Sequence, residues 1–257
     1  MSDAVNLETI STREELLALT LDGCRVAASS ASAAAEAIAH GSAASFRTVR
    51  AMEQRLDALD REVDQRAAAA LIQTDLTGAR ELLSCCKIMV DLERIGDLLT
   101  NFINRTESVR TRIDMQDAET LIKMSCVLEK MLADFLRAFS NRDVSCALRV
   151  LRTDSEIDRL RNLLVLRHTE FEAGSRRESA QVVMMAQALE RAGDHAKNLA
   201  EEVCHLVTGQ TVRHLMRAHD KPYEQMFIEW LKGQHAAGSP LTPSDAEHQS
   251  SGKAVAD

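Results

Sequence analysis

Proline is missing from residues 1–221 of this 257-residue chain; its three prolines are Pro222, Pro240 and Pro243. Helices can therefore run long before meeting a residue that lacks the backbone donor. Aromatic residues make up 3% of the chain, with one tryptophan and one tyrosine. No apolar run approaches the roughly 20 residues that a membrane span needs, and the N-terminus lacks the charged, apolar and small-residue zones of a secretion signal. Basic and acidic residues are mixed along the chain instead of forming a basic stripe, and the formal net charge is -8, which argues against nucleic acid as a direct ligand. No glycine-rich nucleophile turn or phosphate-cradling loop occurs, so nucleophilic catalysis has no sequence support. The six cysteines (Cys24, Cys85, Cys86, Cys126, Cys146 and Cys204) show neither CxxC spacing nor a histidine at zinc-site spacing. They read as reduced, small, buried apolar residues of a cytoplasmic protein.

What remains is alanine, leucine, glutamate and arginine, the composition of a helical bundle. The chain also repeats itself. Glu93-Arg94-Ile95-Gly96-Asp97 returns ninety-seven residues later as Glu190-Arg191-Ala192-Gly193-Asp194, and Asp60-Arg61-Glu62-Val63-Asp64 returns ninety-four residues later as Asp154-Ser155-Glu156-Ile157-Asp158. The three-residue difference is one small loop insertion. Two blocks repeated in order at this period indicate a duplicated unit of domain size, so any chemistry is expected twice.

End signals bound six helices. Thr12 with Glu15 forms a capping box that opens the first, which runs to His40 before Gly41. Ser42 caps a second, with Val49, Leu56, Leu59, Val63 and Ala67 at core-facing intervals, fading near Asp75 to Gly78. A third spans about Thr77 to Val109. After a polar break at Arg110 to Asp114, the fourth presents Leu121, Met124, Leu128, Met131, Leu132, Phe135 and Phe139 and ends at Ser140 to Asp143. The fifth continues to Gly174, a Ser175–Glu178 capping box opens the sixth, and Gly209 closes it. The expected fold is all-α: two pseudo-symmetric three-helix bundles, residues 1–110 and 111–215, each with its acidic blocks on its second and third helices. Residues 216–257 are expected to hold a short helix with Tyr223, Phe227 and Trp230 and then a disordered tail. Tyr223 and Trp230 would anchor that helix on the body or a partner, or fold back as a patch.

At about 100° per residue, Glu93 and Asp97 share one helix face with their Cβ atoms about 5 to 6 Å apart. Asp60 and Asp64 on the adjacent helix would bring two more carboxylates to the same region. Like charges repel at this spacing, so a cation is expected there. Carboxylates without cysteine or histidine suit a hard ion such as Fe(III), Mn(II), Mg(II) or Ca(II) rather than zinc. Asn101 and Asn198 would extend each row. Most ExxxD pairs are solvated helix faces neutralised by lysine and arginine, and Glu53 with Asp57 reads that way. His195 reads as a helix-surface residue, because its repeat counterpart is Leu98. Gly96 and Gly193 sit inside helices at a cost of about 1 kcal/mol each relative to alanine; they allow the close approach of a neighbouring helix or of a bulky metal-oxo centre.

The LERIGD block of residues 92–97, the LERAGDHAKNLAEEV block of 189–203, the two DxE(V/I)D blocks and the GQTVRH run at 209–214 resemble the PhoU family of bacterial phosphate-uptake and phosphate-signalling regulators. The resemblance covers residues 45–215. It implies two three-helix bundles whose acidic motifs bind multinuclear metal clusters, often iron, in some members. Carried over by position, the ligands would be Asp60, Asp64, Glu93 and Asp97 in one half and Asp154, Asp158, Glu190 and Asp194 in the other. The resemblance further implies a non-enzymatic negative regulator, peripheral to the membrane at most, that meets the cytoplasmic ATPase side of a phosphate transporter and a sensor histidine kinase; a homodimer stays open. The chain departs from the family in its third-helix starts, Asp75-Leu76-Thr77-Gly78-Ala79-Arg80 and Ser175-Arg176-Arg177-Glu178. Two other readings compete. A ferritin-like di-iron carboxylate enzyme wants Glu-x-x-His twice, and only Glu202 to His205 fits, with Arg105 and Ser108 at the first-repeat positions. A purely structural interaction bundle needs no ligand at all.

Overall fold

The computed structural model describes residues 2–72, 74–170 and 176–209. Six helices follow one another: α1 (Ser2–His40), α2 (Ala43–Ile72), α3 (Leu76–Val109), α4 (Met115–Asn141), α5 (Val144–Glu170) and α6 (Arg176–Thr208), with a single 3₁₀ turn at Arg110–Arg112. The described residues contain no strand, and no helix among them is long and apolar enough to cross a membrane.

The helix ends follow from local chemistry. Gly41 and Gly209 take positive φ (63° and 70°) and return their backbone N–H groups to Ala37 and His205 oxygens, at 2.9 and 2.8 Å. A residue without Cβ enters this left-handed region at little steric cost. Asp75 and Asp114 cap α3 and α4 by accepting from Gly78 N and Asp117 N at 2.8 and 2.9 Å, and Asp143 accepts from Ser145 N at 2.8 Å at the start of α5. The Ser42 hydroxyl accepts from Ala44 N at 3.2 Å.

The start of α1 differs from the expectation. The helix is already formed at Ser2, so Thr12 and Glu15 lie within it instead of opening it. Residues 2–11 hold neither glycine nor proline, and a capping-box pattern inside a stretch with no breaker is read through by the helix. Ser175, the expected cap of the sixth helix, lies outside the described residues.

Within each half all three helices touch: α1, α2 and α3 form one bundle, and α4, α5 and α6 the other. The halves then join counterpart to counterpart, α1 on α4 and α3 on α6. The result is one compact unit, Met1–Val212; the rest, Arg213–Asp257, lies outside the described residues, and with it the expected helix of Tyr223, Phe227 and Trp230. The α4 stripe enters the core completely, with Leu121, Met124, Leu128, Met131, Leu132 and Phe135 all at zero exposure. The small-residue run of α1 serves packing on several sides at once, because Ala27, Ala31, Ala34 and Ala37 are fully buried and α1 touches α2, α3 and α4. Cys24, Cys85, Cys146 and Cys204 are buried as expected, whereas Cys126 is exposed. Burial pushes the Cys85 and Cys204 thiols up to about 11 and about 12, so neither is a thiolate at neutral pH.

One buried acid ties three helices together. Glu81 on α3 forms ion pairs with Arg13 of α1 and with Arg142, which follows α4. Arg142 is the one described non-glycine residue with positive φ, 54°, and its guanidinium lies 5.0 Å from the Phe139 ring centroid. A strained backbone conformation persists when its surroundings over-determine it. Glu81→Ala removes the shared acceptor of both arginines. The partly exposed arginines lose less than fully buried ones, so the expected loss is about 2 kcal/mol, or a fall in Tm of roughly 4 to 8 °C. An unchanged melting temperature by calorimetry would show that the two pairs add nothing to stability.

Candidate functional site

The glycine of each repeated block sets how closely two helices cross. A Cβ built on Gly96 would stand 2.8 Å from Leu56 Cδ1 and 3.7 Å from Glu53 Cα, and one on Gly193 would stand 3.0 Å from Ile157 Cδ1. Leu56 and Ile157 are core residues. Both glycines therefore serve close helix approach, and the space beside them is filled by aliphatic side chains.

That close approach brings α2 and α3 together along their acidic faces. On α2, Glu53, Asp57, Asp60 and Asp64 recur at intervals of four, three and four, which is one face of a helix. On α3, Glu93 and Asp97 face them. Burial pushes the Asp60 carboxyl above its ordinary value, followed by repulsion from Asp64 and Asp57 and against the pull of Arg61 and Arg94. Burial likewise raises Glu93, helped by Asp97, Asp57 and Asp60 and opposed by Arg94. Glu53 is raised by burial, then by Asp57 and Asp97. Glu53 and Asp57 thus continue the acidic row, while Asp57 keeps the exposed arginine neighbour, Arg61, that a solvated ExxxD pair is expected to have. The bases at hand are weakly placed: Arg94 lies 3.5 Å from Glu93 and 3.7 Å from Asp97, and Arg61 lies 3.6 Å from Asp57.

The second half is neutralised from within. Lys197 Nζ donates to Asp154 Oδ2 at 2.6 Å, and Asp154 is buried. Arg161 donates to Glu190 Oε1 at 3.1 Å, while Gln187 Nε2 donates to Glu190 Oε2 at 2.5 Å. Asp158, like Asp194, is exposed; partial burial raises its carboxyl, then Asp154 and Asp194, with Lys197 and Arg161 pulling the other way. Burial disfavours the Lys197 charge, yet the Asp154 hydrogen bond and the Asp154, Asp194 and Glu201 carboxylates hold its ammonium above the ordinary lysine value.

The eight expected ligands thus fall into two groups of four, one on α2–α3 and one on α5–α6. Among the described residues no three acidic, histidine or cysteine side chains converge closely enough to hold an ion as they stand. Asn101 is exposed at the edge of its row. Polar contacts that spacing did not suggest lie along the α3–α6 seam. His195 is not a plain surface residue, since its Nδ1 lies 2.7 Å from Asp91 Oδ1 and the pair is largely covered. Glu202 accepts from Ser84 at 2.7 Å and pairs with Lys87 at 3.2 Å, so the one Glu-x-x-His match is held at the seam by the other half. A cross-repeat contact of this kind leaves no trace in local spacing.

This geometry coincides with a known family. The PhoU domain model matches the chain twice, at residues 22–106 and 121–203. The chain is a member of the PhoU family. A PhoU homolog of Thermotoga maritima is 31% identical over 179 residues, 66% of this chain and 76% of that protein. A Caulobacter vibrioides homolog is 30% identical over 207 residues, 77% of this chain and 90% of that protein; both are named phosphate-specific transport system accessory proteins. The crystal structure of PhoU from Pseudomonas aeruginosa shares the fold at a TM-score of 0.72 and 24% identity, covering 78% of this chain and 99% of its own. That of the phosphate transport system regulatory protein PhoU from Streptococcus pneumoniae does so at 0.69 and 23%, covering 81% and 99%. Both PhoU matches include the acidic blocks of α2–α3 and α5–α6.

The PhoU-type metal ligands can be tested against the residues present. On α2–α3 the donors are hard oxygens, three of the carboxyls are held above their ordinary values by burial and each other, and Thr100 Oγ1 is buried without a hydrogen-bond partner. The donor set has the chemistry of a hard-cation site, although among the described residues the carboxylates do not converge on one point. On α5–α6 the two least exposed carboxylates already have cationic partners, and the fit fails.

A carboxyl raised in the folded state binds protons more readily there than in the unfolded chain. Its ionisation therefore lowers stability as pH rises through the raised value, and the penalty is absent below the ordinary one. In chelator at neutral pH, Glu93→Gln should raise stability by a few tenths of a kcal/mol, or about 1 °C in Tm. Below about pH 4, near the ordinary glutamate value, the gain should vanish. A gain of the same size at both pH values would trace it to something other than charge.

Proposed function

We propose that this chain is a negative regulator of phosphate uptake and of phosphate-starvation signalling. It acts from the cytoplasm by binding the ATPase side of a phosphate transporter together with a sensor histidine kinase. The observation that carries this reading is the double PhoU match over residues 22–106 and 121–203, supported by relatives named as accessory proteins of the phosphate-specific transport system. The ligand is a hard cation, iron in a multinuclear cluster or else manganese, magnesium or calcium, bound by Asp60, Asp64, Glu93 and Asp97 with Glu53 and Asp57 beside them.

When bound, the cation supplies positive charge to a face that lacks it. Glu93 and Asp97 on α3 and Asp60 and Asp64 on α2 then act as one surface, because their mutual repulsion is relieved while Gly96 and Leu56 keep the helices in contact. A surface acts by stabilising one state of a bound partner, so regulation requires stoichiometric contact rather than turnover.

Deleting this protein should leave phosphate-starvation genes active in rich phosphate. Titrating its expression in the deletion strain while following a starvation reporter should restore repression in proportion to copies per transporter. Full repression far below one copy per transporter would point to an enzyme, and no response at any dose would discard the regulatory reading.

A further inference from the structure

The two acidic faces descend from one duplicated unit, and they differ in their cations. Aligned at an offset of ninety-seven residues, Lys197 corresponds to Thr100; at ninety-four residues, Arg161 corresponds to Ala67. In the second half these two bases engage the two most covered carboxylates, Asp154 and Glu190. In the first half their places hold a neutral hydroxyl and a methyl group. The acids that carry the family motif are present in both halves; short ion pairs to their most covered members are present in one, whereas in the other Arg61 and Arg94 stand 3.6, 3.5 and 3.7 Å from Asp57, Glu93 and Asp97.

We propose that Lys197 and Arg161 close the second acidic face to metal, so that cation binding by this chain is confined to the first half. The contrast rests on the cation reading given above, whereas the closure does not. An ion approaching Asp154 meets an ammonium group 2.6 Å from the carboxylate oxygen it needs. Sharing that oxygen places like charges within a few ångströms in a partly buried setting, where repulsion is poorly screened. Displacing the ammonium instead leaves Lys197 among Asp154, Asp194 and Glu201 without its hydrogen bond. At Glu190 both oxygens are taken, one by Arg161 and one by Gln187, and Arg161 is itself 29% exposed in its side chain, enough of it covered to hold the fork in place. Asp158 and Asp194 remain, two exposed carboxylates without the covered pair that would complete a site. The two covered carboxylates of the second half therefore stay paired whatever the metal supply, and only the first half changes its charge with it.

The test uses the full-length untagged chain, stripped with chelator and reloaded separately with Fe(III) and Mn(II), with metal per chain read by inductively coupled plasma mass spectrometry. Glu190→Gln with Asp194→Asn should leave wild-type metal content unchanged, while Glu93→Gln with Asp97→Asn should remove most of it. Lys197→Thr with Arg161→Ala, which installs the first-half residues, should raise metal content to about twice that of the wild type. Adding Asp158→Asn and Asp194→Asn should abolish the gain. Lys197→Gln, which keeps a hydrogen bond to Asp154 without the charge, carries the same test if the double variant does not fold. Halved metal content in the Glu190/Asp194 variant, or no gain on removing either base, would overturn the proposal. A wild type that binds nothing beside a Lys197/Arg161 variant that binds would uphold the closure and refute the cation reading of the first half.

Discussion

The structure depends on the burial of each repeat's first and third helices against their own counterparts. Alanines of α1, the fully buried leucine, methionine and phenylalanine stripe of α4, and the inner faces of α3 and α6 all enter one core. Apolar burial of this extent dominates the folding free energy, and it leaves α2 and α5 on the outside of the two bundles. The acids of α2–α3 and α5–α6 consequently share solvent-facing surfaces. Their charge has to be met locally, by a base within the same half or by a ligand.

The two halves meet that requirement differently. In the second, the ion pairs are short and the acceptors covered, so the neutralising charge is part of the covalent chain. In the first, the arginines stand farther off and are more than half exposed, where ion pairs contribute little. Burial, and after it like charge at helical spacing, raises Glu53, Asp60 and Glu93 together. Closed as proposed, the second face would leave the duplicated fold responding to a cation on one side only and presenting two different surfaces.

Sequence pattern revealed the helix ends that glycine marks, Gly41 and Gly209; at α3 and α4 it located only the breaks near Asp75 and Asp114, whose capping hydrogen bonds the structure adds. It misplaced the start of α1 because Thr12 and Glu15 satisfy a capping pattern that the uninterrupted upstream helix makes irrelevant. The acidic motifs were visible through repetition. Glu53 and Asp57 read as a solvated pair when taken alone, although they continue the row of Asp60 and Asp64 at helical intervals. Comparison of His195 with its counterpart Leu98 does not reveal its partner, Asp91, which lies on the other half. Lys197 stands three residues past the repeated Glu190–Asp194 block, and its meaning depends on a contact across two helices that spacing along one helix does not encode.

The proposed inequality of the two acidic faces toward cations is open to a direct measurement. Anomalous diffraction from crystals of the full chain grown with Mn(II) or Fe(III) measures this directly, because it locates each ion. A peak is expected beside Asp60, Glu93 and Asp97 and none beside Asp154, Glu190 and Asp194. Peaks of comparable height at both faces would contradict it.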